Sequence, residues 1–225
     1  MTPPKRVLLL VGSPRGGKSN SGAIGKYLLE RFAEHDLETD TRRIGAGLPS
    51  EETLAGLYEA MTDADLTILL TPLYVDSQPT PVVRFMEYVA ERRRGREDEA
   101  RPRFAVIVNC GLPETYQNDL VLRIYRCFAT ESGLDWAGGA ALGMGETIES
   151  RPLERVGRPA EGLRKSLRQI AEALADGQPI PEQAVALMAK PMMPRWLYKF
   201  MAHRYFKKQV KRRATDPIDA RPYPQ

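Results

Sequence analysis

The chain has 225 residues and a formal net charge of +4, with two cysteines, Cys110 and Cys127, and two histidines, His35 and His203. That length suits one domain with an appendage, and the few, scattered cysteines and histidines supply neither a disulfide framework nor the ligand set of a structural zinc or iron–sulfur site. No apolar run approaches the ~20 residues needed to cross a bilayer, and the apolar stretch near the N-terminus lacks a cleavage signal, so the expected compartment is the cytoplasm.

Strand and helix patterns alternate through the first three quarters of the sequence. Arg6 to Val11 is an apolar strand that runs into Gly12-Ser13-Pro14-Arg15-Gly16-Gly17-Lys18-Ser19-Asn20-Ser21. A helical stripe of Ile24, Tyr27, Leu28 and Phe32 follows. Glu38 to Ile44 alternates with charges, as an edge strand does, and leads to a helix carrying Leu54, Leu57 and Met61. Leu66 to Thr71 and Phe104 to Asn109 are nearly continuous apolar runs, as central parallel strands covered on both faces should be. Between them Val82, Phe85, Met86 and Val89 form a helical stripe; Leu120, Ile124, Cys127 and Phe128 form another after the fourth strand. Trp136 to Leu142 is a fifth strand, thinned by Gly138 and Gly139, and Leu163, Leu167, Ile170 and Leu174 mark a last covering helix. The glycines leave open whether the fifth strand admits a second subunit, a substrate or tight packing. Five strands with interleaved helices predict an α/β doubly wound parallel sheet in the order 2-1-3-4-5, with its ligand crevice at the carboxyl ends of strands 1 and 3.

The sequence places a domain over residues 1–177 and an extension over 178–225, in which prolines separate short helical pieces. Residues 195–213 have helical composition, and Asp216 to Gln225 should be extended. Between Gln183 and Thr215 there are nine cations and no acids, which leaves −5 for the rest of the chain. This basic segment could dock on the acidic remainder of its own or a sister subunit, which the charge balance favours, or lie on an anionic membrane. A nucleic-acid role is not favoured.

The loop after the first strand is built to hold phosphate: small residues expose backbone NH groups, and the helix behind adds its dipole. Gly12-x-x-x-x-Gly17-Lys18-Ser19 also fits the nucleoside-triphosphate loop pattern. A nucleotide hydrolase, however, needs a carboxylate at a neighbouring strand end to organise magnesium, and the central strands end in Thr71-Pro72 and Asn109-Cys110. Ser13, Ser19, Asn20 and Ser21 suit a terminal monophosphate better, with Lys18 beside it or solvated. The third strand leads into Pro72-Leu73-Tyr74-Val75-Asp76 and Pro79, a restricted apolar segment on which a planar ring could rest. The fourth leads into Cys110-Gly111-Leu112-Pro113-Glu114, where glycine permits close backbone approach.

With these three motifs in this order, the chain resembles the NADPH-dependent FMN reductase family of the flavodoxin-like superfamily over residues 5 to about 175. The resemblance implies a flavodoxin-like fold, bound FMN and NAD(P)H as co-substrate. It implies that Ser13, Pro14, Arg15, Lys18, Ser19, Asn20 and Ser21 surround the FMN phosphate. Pro72, Leu73, Tyr74, Val75 and Asp76, with Cys110, Gly111 and Leu112, would border the ring, and amides near Val75 or Cys110 could hydrogen-bond it. It also implies a homodimer and a small-molecule electron acceptor such as a quinone, nitro compound or flavin. No catalytic side chain or metal ligand is nominated, because the flavin carries the chemistry. A flavodoxin-type electron carrier without NAD(P)H activity is the alternative.

Overall fold

The computed structural model describes residues 2–16, 18–95 and 101–213. By its contacts the chain divides into Met1–Met192 and Met193–Gln225, each described by itself. In the first unit five strands, β1 (Arg6–Val11), β2 (Glu38–Arg43), β3 (Leu66–Pro72), β4 (Arg103–Asn109) and β5 (Asp135–Leu142), form one parallel sheet ordered β2-β1-β3-β4-β5. The helices are α1 (Asn20–Phe32), α2 (Glu51–Asp63), α3 (Thr80–Arg93), α4 (Asp119–Glu131), α5 (Leu153–Val156), α6 (Glu161–Ala175) and α7 (Glu182–Met188). The second unit holds α8 (Arg195–Arg213). The extended tail expected over Asp216 to Gln225, like Gly17 of the first loop, lies outside the described residues.

Side-chain alternation along the strands builds two cores. Val7, Leu9 and Val11 of β1 face α1, α6 and α7, whereas Leu8 and Leu10 face α2 and α3 with Phe104, Val106 and Val108 of β4. All seven residues of β3 and of β4 are buried, which is why their sequences lack polar alternation. β2 pairs on one side only and none of its six residues is buried, in keeping with its charges.

The thin fifth strand is explained by packing within the chain. Gly138 has φ +119, and a Cβ there would lie 2.8 Å from Ile180 Cβ. The segment after α6 runs alongside, with the Ile180 amide donating to the Ala137 carbonyl at 2.8 Å. A Cβ on Gly139 would meet Leu122 Cδ2 of α4 at 2.9 Å. Residues 178–192, grouped with the extension in the sequence, thus pack on the sheet, with Ala184 and Met188 of α7 in its core.

Candidate functional site

β1 delivers the chain to Gly12, whose amide donates to the Leu70 carbonyl at 2.8 Å. A Cβ at this position would come 2.6 Å from Val82 Cγ2, so glycine lets the start of α3 close against the end of β1. Ser13 to Gly16 then form a turn, with the Gly16 amide donating to the Ser13 carbonyl at 2.9 Å and φ +60 at Gly16. Ser19 caps α1: its hydroxyl accepts from the Gly22 amide at 3.0 Å and donates to the Gly16 carbonyl. The amides of Asn20 and Ser21, in the first turn, have no carbonyl partner within the helix. α2, α4, α6 and α7 each place an acid in their first turn, which neutralises the positive helix end; α1 and α3 have none. Ser13, Ser19, Asn20 and Ser21 are buried, whereas Arg15 and Lys18 are exposed cations beside them.

After β3 the chain makes a two-residue hairpin. Tyr74 and Ser77 exchange backbone hydrogen bonds of 2.7 and 3.1 Å, with Val75 and Asp76 at φ 49 and 61. Two left-handed tip residues define a type I′ turn. A β-branched residue in that conformation costs on the order of 1–2 kcal/mol, and Val75, 97% exposed, recovers nothing by burial. The hairpin leaves the Val75 and Asp76 amides outside its own bonds.

Asn109, at the end of β4, ties these loops together. Its Nδ2 donates to Ser21 Oγ at 2.8 Å and to the Thr71 carbonyl at 3.1 Å, and its own carbonyl accepts from the Leu73 amide at 2.9 Å. The next amide, that of Cys110, continues the sheet ladder to the Leu142 carbonyl at 2.9 Å and is therefore not a free donor for a ring. The Cys110 thiol is buried against Asn118 and the Leu112 carbonyl; burial, aided by the charge of Glu114 and opposed by those two hydrogen bonds, pushes its pKa up. It is a protonated filler rather than a reactive thiolate.

A fourth loop joins the site without a sequence signal. The Met144 and Gly145 amides donate to the Leu112 and Cys110 carbonyls at 2.8 and 2.7 Å. The Ser150 amide donates to Asn20 Oδ1 at 2.9 Å, so the Asn20 side chain holds this loop. Glu146 pairs with Arg15 at 3.2 Å, both side chains over half exposed. Met144, Glu149 and Ser150 all have positive φ. The structure thus brings the predicted residues of three loops to one edge of the sheet and adds Asn109, Glu146 and Ser150. Asn109 stood in the motif quoted after the fourth strand, and its polarity at the end of an apolar run was the available signal.

Tyr74, Val75 and Leu112 are exposed along this edge, which forms an open shelf. Cavities of about 660 and 380 Å³ lie elsewhere, one beside Arg93, Arg101 and Trp136, the other between α6 and α7. Among the described residues no cluster of three His, Cys, Asp or Glu side chains is placed to hold a metal.

A 2-1-3-4-5 parallel sheet whose crevice lies where the connections from β1 diverge, with an acid-free helix N-terminus at that point, defines a flavodoxin-like nucleotide-binding domain. Solved structures share the fold. They include an FMN-dependent NADH-azoreductase from Bacillus anthracis str. Ames Ancestor in complex with FMN (TM-score 0.53, 13% identity, covering 76% of this chain and 99% of that one). An NADPH-quinone reductase from P. pentosaceus gives 0.54 and 18%, covering 74% and 97%. The NAD(P)H:quinone oxidoreductase from Methanothermobacter marburgensis gives 0.54 and 16%, covering 73% and 94%. A comparison with curated protein sequences gave no match. Over residues 5–115 this chain matches the model of the NADPH-dependent FMN reductase family. It is an oxidoreductase with FMN as its cofactor and NAD(P)H as the electron donor. The residues present fit that group: an uncompensated helix end for a phosphate dianion, and unspent hairpin amides for a polar ring edge.

Proposed function

We propose that this protein passes electrons from NAD(P)H through FMN, held on the shelf above β1, β3 and β4, to a small acceptor such as a quinone, an azo or nitro compound, or a free flavin. The observation that carries this reading is the α1 N-terminus at the crevice, which has no first-turn acid and leaves the Asn20 and Ser21 amides without a carbonyl partner in the helix. In this reading the Asn20 and Ser21 amides and the Ser13 hydroxyl bind the phosphate. Ser19 shapes the cap, Pro14 sets the turn, and Arg15 and Lys18 add positive potential. Pro72, Leu73 and Tyr74 support one side of the ring and Gly111 and Leu112 the other, while the Val75 and Asp76 amides orient its polar edge. Cys110 and Asn20 act through the loops that they hold. FMN, when bound, supplies the two-electron chemistry between donor and acceptor. The chain's own task is to position both reactants and exclude water, and no side chain is assigned a proton transfer.

The exposed Leu48, Val75, Leu112 and Tyr116 on loops at this same edge support a homodimer in which a second copy covers the shelf. Dependence on NAD(P)H supports a cytoplasmic location. A nucleoside-triphosphate role is disfavoured because the Ser19 hydroxyl is committed to the helix cap and no carboxylate ends β3 or β4.

The test is a visible spectrum of the purified protein after addition of FMN, followed by anaerobic titration with NADH and NADPH. A bound flavin spectrum bleached by the nicotinamide is the expected result. Bound flavin that does not bleach would make the protein an electron carrier. Failure to bind FMN, with magnesium-dependent uptake of ATP, would overturn the assignment of the loop.

A further inference from the structure

The second unit carries a helix unlike those of the first. α6 buries seven of its fifteen residues, as a helix that packs through one apolar stripe does. None of the described side chains of α8 is fully buried, although the helix is rich in large apolar residues. Trp196, Phe200, Met201, Tyr205 and Phe206 are exposed by 71, 54, 51, 59 and 53%. The two kinds of side chain separate along the axis rather than around it. From Trp196 to Phe206 the helix is mostly aromatic and aliphatic, and Lys207, Lys208, Lys211 and Arg212 follow. Where the two mix, the Arg204 guanidinium lies over the Phe200 ring at 5.9 Å from its centroid. There are no acids between Gln183 and Thr215.

We propose that α8 is an interfacial anchor that binds the surface of an anionic phospholipid bilayer. Trp and Tyr side chains favour the boundary between headgroups and acyl chains. Interfacial binding grows with the apolar area buried and with electrostatic attraction to anionic lipid, the two contributions that α8 presents in succession. No helix among the described residues is long and apolar enough to span the bilayer, so the attachment is peripheral. Lipid explains both halves of the segment. A nucleic acid would use the cations but leave Trp196, Phe200 and Met201 in water. The acids of the remaining chain would answer the charge but not the exposed aromatic surface.

The test is cosedimentation of the full chain, with its cofactor, on vesicles of phosphatidylcholine alone or mixed with phosphatidylglycerol. Binding should be about a hundredfold tighter to the anionic vesicles and should weaken with added salt. In a Trp136→Phe background Trp196 is the one remaining tryptophan, and its emission should shift to the blue on vesicle binding. The triple replacement Lys207→Glu, Lys208→Glu, Lys211→Glu should lower binding about a hundredfold, and Trp196→Ala with Phe200→Ala about tenfold. Both variants should keep the wild-type thermal transition and NADPH oxidation rate. Equal partition onto both vesicle types, or onto neither, would overturn the proposal. So would tight binding to duplex DNA or self-association that the same replacements abolish while vesicles leave the Trp196 emission unmoved.

Discussion

Asn109 reaches residues 88 and 38 positions away in the sequence, Ser21 and Thr71, through a single carboxamide nitrogen. Replacing it with alanine strands a buried hydroxyl and a buried carbonyl together. Each unpaired buried group costs about 1–3 kcal/mol, so Asn109→Ala should lower stability by about 2–4 kcal/mol in urea unfolding of the apo-protein and loosen FMN retention in parallel. A loss below about 1 kcal/mol would show that neither group depends on it. This role was not legible beforehand. A motif shows that a polar residue ends an apolar strand, but only the meeting of three strand ends decides whom it serves. For the same reason Cys110, expected to offer its amide to a ring, offers it to β5: the ladder extends one residue beyond the strand. Val75 was named from its motif, yet its strained φ of 49 came from the hairpin closed by Tyr74 and Ser77.

At the scale of elements, the α1 N-terminus yields opposite expectations for stability and for cofactor binding. Asn20→Asp keeps the acceptor that holds the Ser150 amide and adds the first-turn acid that other helices carry, a gain of about 0.3–1 kcal/mol offset in part by burial. The apo-protein should therefore melt within a few degrees of wild type. A carboxylate facing the same amides as the phosphate should weaken FMN binding by about ten- to a hundredfold, since two charges at ~4 Å repel by several kcal/mol at an intermediate dielectric. Fluorescence titration with FMN measures it, and unchanged affinity would remove the phosphate from this helix end. Gly138→Ala tests β5 instead. With φ +119 and a Cβ 2.8 Å from Ile180 Cβ, it should cost about 2–4 kcal/mol in urea unfolding by strain and overpacking together. The strands and the helices facing them were readable because two-residue and 3.6-residue periods record burial directly. α7 was not resolved as part of the sheet's covering layer, because its contact with β5 depends on glycines whose meaning is a neighbour absent from the local pattern.

At the scale of the whole molecule, the strand order followed from which runs were continuously apolar and which were charged, as β3, β4 and β2 illustrate. The loop from Met144 to Ser150 escaped notice because its ties to the site run mostly through backbone groups, which carry no residue signature. Two buried acidic groups set how stability should respond to alkaline pH. Burial raises the pKa of the Cys110 thiol above its ordinary 9.0 and that of the Tyr125 phenol above its ordinary 10.0. Both groups stay protonated in the folded protein while the unfolded chain ionises, so their contribution is intact below the unfolded values and is lost as pH rises through the folded ones. The unfolding free energy of the apo-protein, from urea titration, should hardly change on account of these groups between pH 6 and about 8, then fall from about pH 9 by up to ~1.4 kcal/mol per pH unit for each group. Cys110→Ala should remove the earlier part of that decline, and Tyr125→Phe the part that begins near pH 10. A double replacement with an unchanged alkaline slope would assign the decline to other groups and show that burial holds neither side chain neutral.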